Sequence, residues 1–150
     1  MKKENQKLNI FVGKWKAIGK SYAEGNSNEN LQVSLIDMNL TETFEWILDG
    51  SFLIHHWNGH VGNAEFKGME VLGFDILSQT YISSFFDNSG NFPTYKVTFE
   101  NNIWTYIGEL QRATFKFNDD GNAIKTHWDW KKNPNDNWLP LCDLEVTKSM

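Results

Sequence analysis

The sequence predicts an all-β fold: one antiparallel up-and-down barrel of about ten strands, led in by a short helix over residues 1–12. Three observations predict it. Short runs rich in β-branched and aromatic residues follow one another along the whole 150-residue chain. Turn-forming pairs separate them. The clearest runs alternate apolar and polar with a period of two, which gives a strand one dry and one wet face. A meander of this kind removes its exposed edges most completely by closing on itself.

In chain order, "KKENQKLNIFVG" places Leu8, Phe11 and Val12 on one side of a helix, with Gly13 as its stop. The strand runs are then "KWKAIGKSYA", "LTETFEWIL", "SFLIHHWNGH", "EFKGMEVLGF", "TYISSFFD", "TYKVTFE", "IWTYIGEL", "ATFKFN", "AIKTHWDW" and "LCDLEVTK". Between them stand Gly25-Asn26, Asp49-Gly50, Gly62-Asn63, Asn88-Ser89-Gly90, Asn101-Asn102, Asp120-Gly121 and Asn133-Pro134, residues that tolerate positive φ or start turns. In "AIKTHWDWKK", Ile124, Trp128 and Trp130 share one face, and Lys125, His127, Asp129 and Lys131 the other. His127 is therefore expected at the solvent, beside Asp129. Ala113, Phe115 and Phe117 oppose Thr114, Lys116 and Asn118. Cys142, Leu144, Val146 and Lys148 oppose Asp143, Glu145 and Thr147.

"LDGSFLIHHWNGH" carries three of the four histidines, and its register decides which of them faces inward. A two-residue turn at Asp49-Gly50 sets Trp46 opposite Leu53 and puts His55 on the Phe44/Trp46 face. A three-residue loop sets Trp46 opposite Phe52 and puts His56 inside with Phe52 and Ile54. The second register gathers apolar residues more cleanly onto one side, so His56 is the expected inward histidine. No metal site is expected. His55 and His56 point to opposite faces, and His56 and His60 lie roughly 13 Å apart along a strand. Imidazoles sharing a metal must come within ~2.1 Å of it. An interior acid/base pair of His56 with Glu45 or Glu70 is the catalytic alternative.

Composition narrows the function classes. The net charge of −5 argues against nucleic acid, which demands a basic face. Dispersed lysines argue against an anionic membrane surface, and no segment approaches the ~20 apolar residues of a membrane helix. One cysteine, Cys142, forms no internal disulfide, and the N-terminal run is a poor secretory leader, so a cytoplasmic setting is expected. Abundant Lys, Asn and Ile point to an AT-rich bacterial genome. Seven tryptophans and eleven phenylalanines supply large rings, enough to wall a cavity or to fill it.

"FVGKWKAIGKS" sets Gly13, Trp15 and Gly19 at the entry of the first strand, and "EVTKSM" sets Lys148 in the last. The pair resembles the Gly-x-Trp signature of calycins, the superfamily of lipocalins and fatty-acid-binding proteins. There a basic residue of the last strand, more often arginine in lipocalins, closes the barrel base over the tryptophan. The ordered set Gly50, Phe52, Leu53; Leu72, Gly73, Phe74, Asp75; Tyr81; Asp87 is similar to a bacterial lipocalin-like family of unknown function. Phe74 stands where that family usually has tyrosine. The resemblance implies a fold and no activity. On chemistry alone, Trp15 is structural, Asp75 a turn former, Tyr81 a wall residue and Gly73 a point of close packing.

These observations lead to a binding protein for a small hydrophobic molecule, apolar or aromatic. Its cavity would be lined by Trp46, Phe52, Ile54, Phe85, Trp104, Phe115, Trp128 and Trp130, with His56 orienting the ligand. No cofactor is called for; a wall histidine is chemically able to ligate haem iron, but no motif requires it. Two alternatives stand beside this: a small-molecule enzyme of isomerase, cyclase or hydrolase type using a cavity histidine, and a barrel filled by its own rings that acts through its surface.

Overall fold

A computed structural model describes residues 2–22 and 35–149. The expected turn at Gly25-Asn26 lies outside them. All ten expected strands are present: β1 (Gly13–Ser21), β2 (Ile36–Ile47), β3 (Phe52–Val61), β4 (Ala64–Asp75), β5 (Thr80–Asp87), β6 (Thr94–Glu100), β7 (Ile103–Ile107), β8 (Gln111–Phe117), β9 (Ala123–Trp130) and β10 (Leu139–Ser149). The lead-in is α1 (Lys3–Lys7), continued by a 3-10 turn over Leu8–Phe11. Each strand pairs antiparallel with the next in sequence. β1 then pairs with β10, and the sheet closes into a barrel.

Alternation drives this arrangement. Along β2, Met38, Leu40 and Phe44 are buried, while Asp37, Asn39, Thr41 and Thr43 are exposed. Along β10, Cys142, Leu144 and Val146 are buried between exposed Asp143, Glu145 and Thr147. The hairpins use the expected chemistry: Asn101 and Asn102 both take positive φ in the tight β6–β7 turn. β5 and β6 meet only over Tyr81–Ser84 and Thr94–Val97, which leaves the shortest seam in the wall.

One end of the barrel is closed by the lead-in. Leu8 and Phe11 are fully buried there. The Phe11 ring lies 5.3 Å from those of Phe44 and Trp104 and 5.1 Å from that of Phe117. Four side-chain hydrogen bonds fasten the segment. Trp15 Nε1 donates to the Phe11 carbonyl at 2.7 Å, and Trp46 Nε1 to Asn9 Oδ1 at 2.7 Å. The Tyr81 hydroxyl donates to the Glu4 carbonyl at 2.6 Å, and Asn5 Nδ2 to the Gly50 carbonyl at 3.1 Å. Trp15 lies directly opposite Lys148 in the β1–β10 ladder, and the Lys148 ammonium stands 5.2 Å from its ring centroid. A cation over a buried ring is thus part of the barrel base.

The expected β2–β3 register is overturned. Trp46 pairs with Leu53 and Ile47 with Phe52, joined by a loop in which Leu48, Asp49 and Gly50 all have positive φ. Leu53, His55 and Trp57 therefore face inward, and Phe52, Ile54 and His56 face outward. The apolar count misled because Phe52 finds its packing outside. Its ring covers Gly73 across the β3–β4 ladder, where a Cβ would sit only 2.7 Å from the ring. His55 tolerates the interior because two carboxylates meet it there.

Candidate functional site

Three neighbouring strands deliver that meeting. His55 of β3 faces Glu70 of β4 directly across the ladder, and Glu42 of β2 approaches from the other side. Imidazole Nδ1 lies 2.8 Å from Glu70 Oε1, and Nε2 lies 2.5 Å from Glu42 Oε1. Ser83 of β5 donates its hydroxyl to Glu70 Oε2 at 2.6 Å. The Phe44 ring stacks on the imidazole at 3.9 Å, nearly parallel. The network is largely buried: the side chains of Glu42, His55 and Glu70 keep 12%, 7% and 2% of their surface.

The electrostatics follow from the geometry. A neutral imidazole would turn a lone pair toward one of its two carboxylates, so this arrangement favours imidazolium. Burial pulls the His55 pKa down, but the hydrogen bonds and charges of Glu42 and Glu70 outweigh it and hold the pKa at about 9. The fully buried phenol of Tyr106 is pushed well above its usual value by burial, then by the charge of Glu70 and hydrogen bonding to it, and by the charge of Glu42. Burial, with the charges of Asp143 and Glu42, pushes the Cys142 thiol up to about 12, so it is no nucleophile. Both ring nitrogens of His55 are engaged by carboxylates in this arrangement.

The remaining expected residues fall into three groups. Phe85, Phe115 and Trp128 line the interior with Trp57, Tyr95 and Tyr106, and their rings are in mutual contact. Phe85 lies 5.4 Å from Trp57 and 5.8 Å from Trp128, and Tyr106 lies 4.8 Å from Phe115. Trp130 stands above them at the end away from the helix. Trp46 and Trp104 belong instead to the closed end. Trp46 is held by Asn9, and Trp104 is packed between Phe11, Tyr81 and Phe99. Phe52, Ile54 and His56 lie outside the lumen, and Glu45, one of the partners considered for His56, is exposed.

Asp75 accepts hydrogen bonds from the Leu77 and Ser78 amides and the Ser78 hydroxyl, fixing the β4–β5 turn. His127 is on the outer face, bridging Asp143 at 2.6 Å and Asp129 at 2.8 Å. Among the described residues no group of three His, Cys, Asp or Glu is arranged to hold a metal ion.

Burial varies among the inward side chains: Tyr95 and Tyr106 are fully buried, and Trp46, Phe74 and Phe117 are half-buried. At the helix end the inward side chains Trp15, Leu53, Leu72, Val97 and Trp104 are fully buried. At the far end the inward rings of Phe66, Phe85, Trp128 and Trp130 are only half-buried. Several inward polar atoms have no partner among the described residues: Nε1 of Trp57, Trp104 and Trp130, and Oγ1 of Thr126. Two clefts of about 390 Å³ each are present among the described residues. One crosses the outer face past Lys20, Lys125, His127 and Asp143; the other runs under the helix past Lys7, Tyr81 and Phe99.

A family model described as "Protein of unknown function (DUF1579)" matches residues 1–133. No curated protein matches the chain. Among solved structures, that of Rv2717c from M. tuberculosis is similar with a TM-score of 0.69 at 7% identity, covering 100% of this chain and 99% of that one. The S-type phycobiliprotein lyase CPES from Guillardia theta is similar with a TM-score of 0.60 at 11% identity, covering 98% of this chain and 93% of that one. At such identities the likeness is one of fold.

Proposed function

The chain belongs to the DUF1579 family, a family of unknown function, so its role has to be read from the barrel itself, and we propose that it binds a small aromatic or apolar molecule in the half of the lumen away from the helix. One observation carries this: a buried Glu42–His55–Glu70–Ser83 network lies inside a barrel beside a wall of rings, of which Phe66, Phe85, Trp128 and Trp130 are half-buried. A buried ion network is poor stabilisation compared with an apolar core of the same volume. Charged groups kept in such a place mark a functional-site candidate. Rings above and polar groups beneath are what an apolar ligand with one polar end requires.

The likeness of the barrel to a phycobiliprotein lyase supports small-molecule binding by this architecture. Trp15 beneath Lys148 supports a calycin-like barrel. Among the described residues no helix is long and apolar enough to cross a membrane. The lone buried thiol of Cys142 suits a reducing compartment such as the cytoplasm.

Titration with apolar fluorescent dyes, followed through tryptophan emission, tests the proposal, together with mass spectrometry of whatever co-purifies. Saturable quenching at one dye per chain is expected. If no dye binds and nothing co-purifies, the barrel is filled by its own rings and acts through its surface.

A further inference from the structure

The buried network leaves one of its own hydrogen-bonding positions open. Glu70 spends both oxygens, on His55 and Ser83, and Glu42 spends Oε1 on His55. Glu42 Oε2 makes no hydrogen bond to a described residue, and it is not among the sealed unpartnered atoms. Glu42 lies on the inner face of β2, between the buried Leu40 and Phe44, and 12% of its side chain stays exposed.

Charge adds to this. Two carboxylates face one imidazolium. The other ionisable groups near them, Tyr95, Tyr106 and Cys142, are held neutral by burial. The other inward cation of the described strands, Lys148, sits over Trp15 at the closed end.

A second observation stands beside the carboxylate. Trp57 is directly opposite Glu42 in the β2–β3 ladder and buried to 6% exposure. Its ring is 5.3 Å from His55, and its indole N–H has no acceptor among the described residues. The rings of Trp57, Phe85 and Trp128 continue from there toward the half-buried end, offering π-faces of the kind that attract cations.

We propose that the ligand carries a basic nitrogen, an amine or amidine on an aromatic body, and that Glu42 Oε2 accepts its N–H. This rests on the lumen being a binding site, as argued above. A cationic nitrogen there forms a charge-assisted hydrogen bond and neutralises the surplus negative charge of the network. An anionic group in the same place meets an uncompensated carboxylate, and a neutral hydroxyl gains the hydrogen bond without the charge.

Three matched probes test it: naphthylmethylamine, naphthalenemethanol and naphthylacetate, titrated at neutral pH into the wild-type protein and into Glu42→Gln. The amine should bind about tenfold tighter than the alcohol, the worth of one charge-assisted bond over a neutral one, with the acetate weakest. In Glu42→Gln the advantage of the amine should collapse while the affinity of the alcohol is retained. If the alcohol or the acetate equals the amine, or Glu42→Gln keeps the preference, the inference is overturned while the binding site stands. If none of the three binds, the binding site itself falls and this inference with it. Should Glu42→Gln fail to fold, the ranking on wild-type protein decides alone.

Discussion

Raising the pH should unfasten the barrel from within. His55 has an ordinary pKa of 6.5 in the unfolded chain and about 9 in the fold. A group whose folded pKa is raised contributes stability that is complete below its unfolded value and is lost as pH climbs through its folded value. The difference, 9 − 6.5, corresponds to about 3 kcal/mol at 1.36 kcal/mol per unit. The imidazole is sealed, so little of this is screened by solvent. Urea unfolding between pH 6.5 and 9 should therefore show the midpoint falling by roughly 1–2 M, given slopes of about 1–3 kcal/mol/M for small proteins. Cys142 contributes only above its ordinary pKa of 9, where the unfolded thiol ionises and the buried one does not. His127 also has a raised pKa, but its side chain is 41% exposed and its effect is screened. His127→Gln should keep most of the decline. Constant stability across this window would show that His55 is neutral in the fold, and the ionic network would be refuted.

Four substitutions check the rest of the architecture. His55→Ala should cost about 3–5 kcal/mol, because it strands two buried carboxylates, whereas His56→Ala should stay within ~0.5 kcal/mol as a surface change; the reverse order in urea unfolding would restore the abandoned register. Trp15→Ala should cost about 3–5 kcal/mol, the usual loss for a buried ring, and a value under ~1 kcal/mol would remove the ring from the barrel base. At Gly68 an added Cβ would lie 2.2 Å from Trp57 Cζ2 and 2.4 Å from the Phe86 carbonyl. Gly68→Ala should accordingly destabilise by about 1–3 kcal/mol and shift the tryptophan emission; an unchanged spectrum would place Trp57 elsewhere.

The strands were legible because each carries its own period-two pattern and its own turn residues, all local signals. The register of β3 was not, since both of its faces are apolar: Phe52 and Ile54 on one, Leu53 and Trp57 on the other. The choice between them is made by partners far away in sequence. Gly73 gives Phe52 a seat outside, and Glu42 and Glu70 give His55 a place inside. Phe85, Phe115 and Trp128 were recognisable as interior rings from alternation alone. Trp46 and Trp104 share that alternation but lie at the closed end, because height along the barrel depends on where the helix docks.

Glu42, Ser83 and Tyr106 carried no motif. A faint signal was nonetheless present. Glu42, His55, Glu70 and Ser83 follow one another at intervals of 13, 15 and 13 residues, about the step between equivalent positions on successive strands of this meander. Polar residues recurring at that step on an otherwise apolar face mark an interior network.

The most direct measurement is a crystal structure of the protein soaked with naphthylmethylamine. Density is expected inside the barrel, against Trp57, Phe85 and Trp128, with the nitrogen at Glu42 Oε2. Density confined to the two clefts lined by Lys125 and by Lys7, with the lumen rings unmoved, would contradict the account.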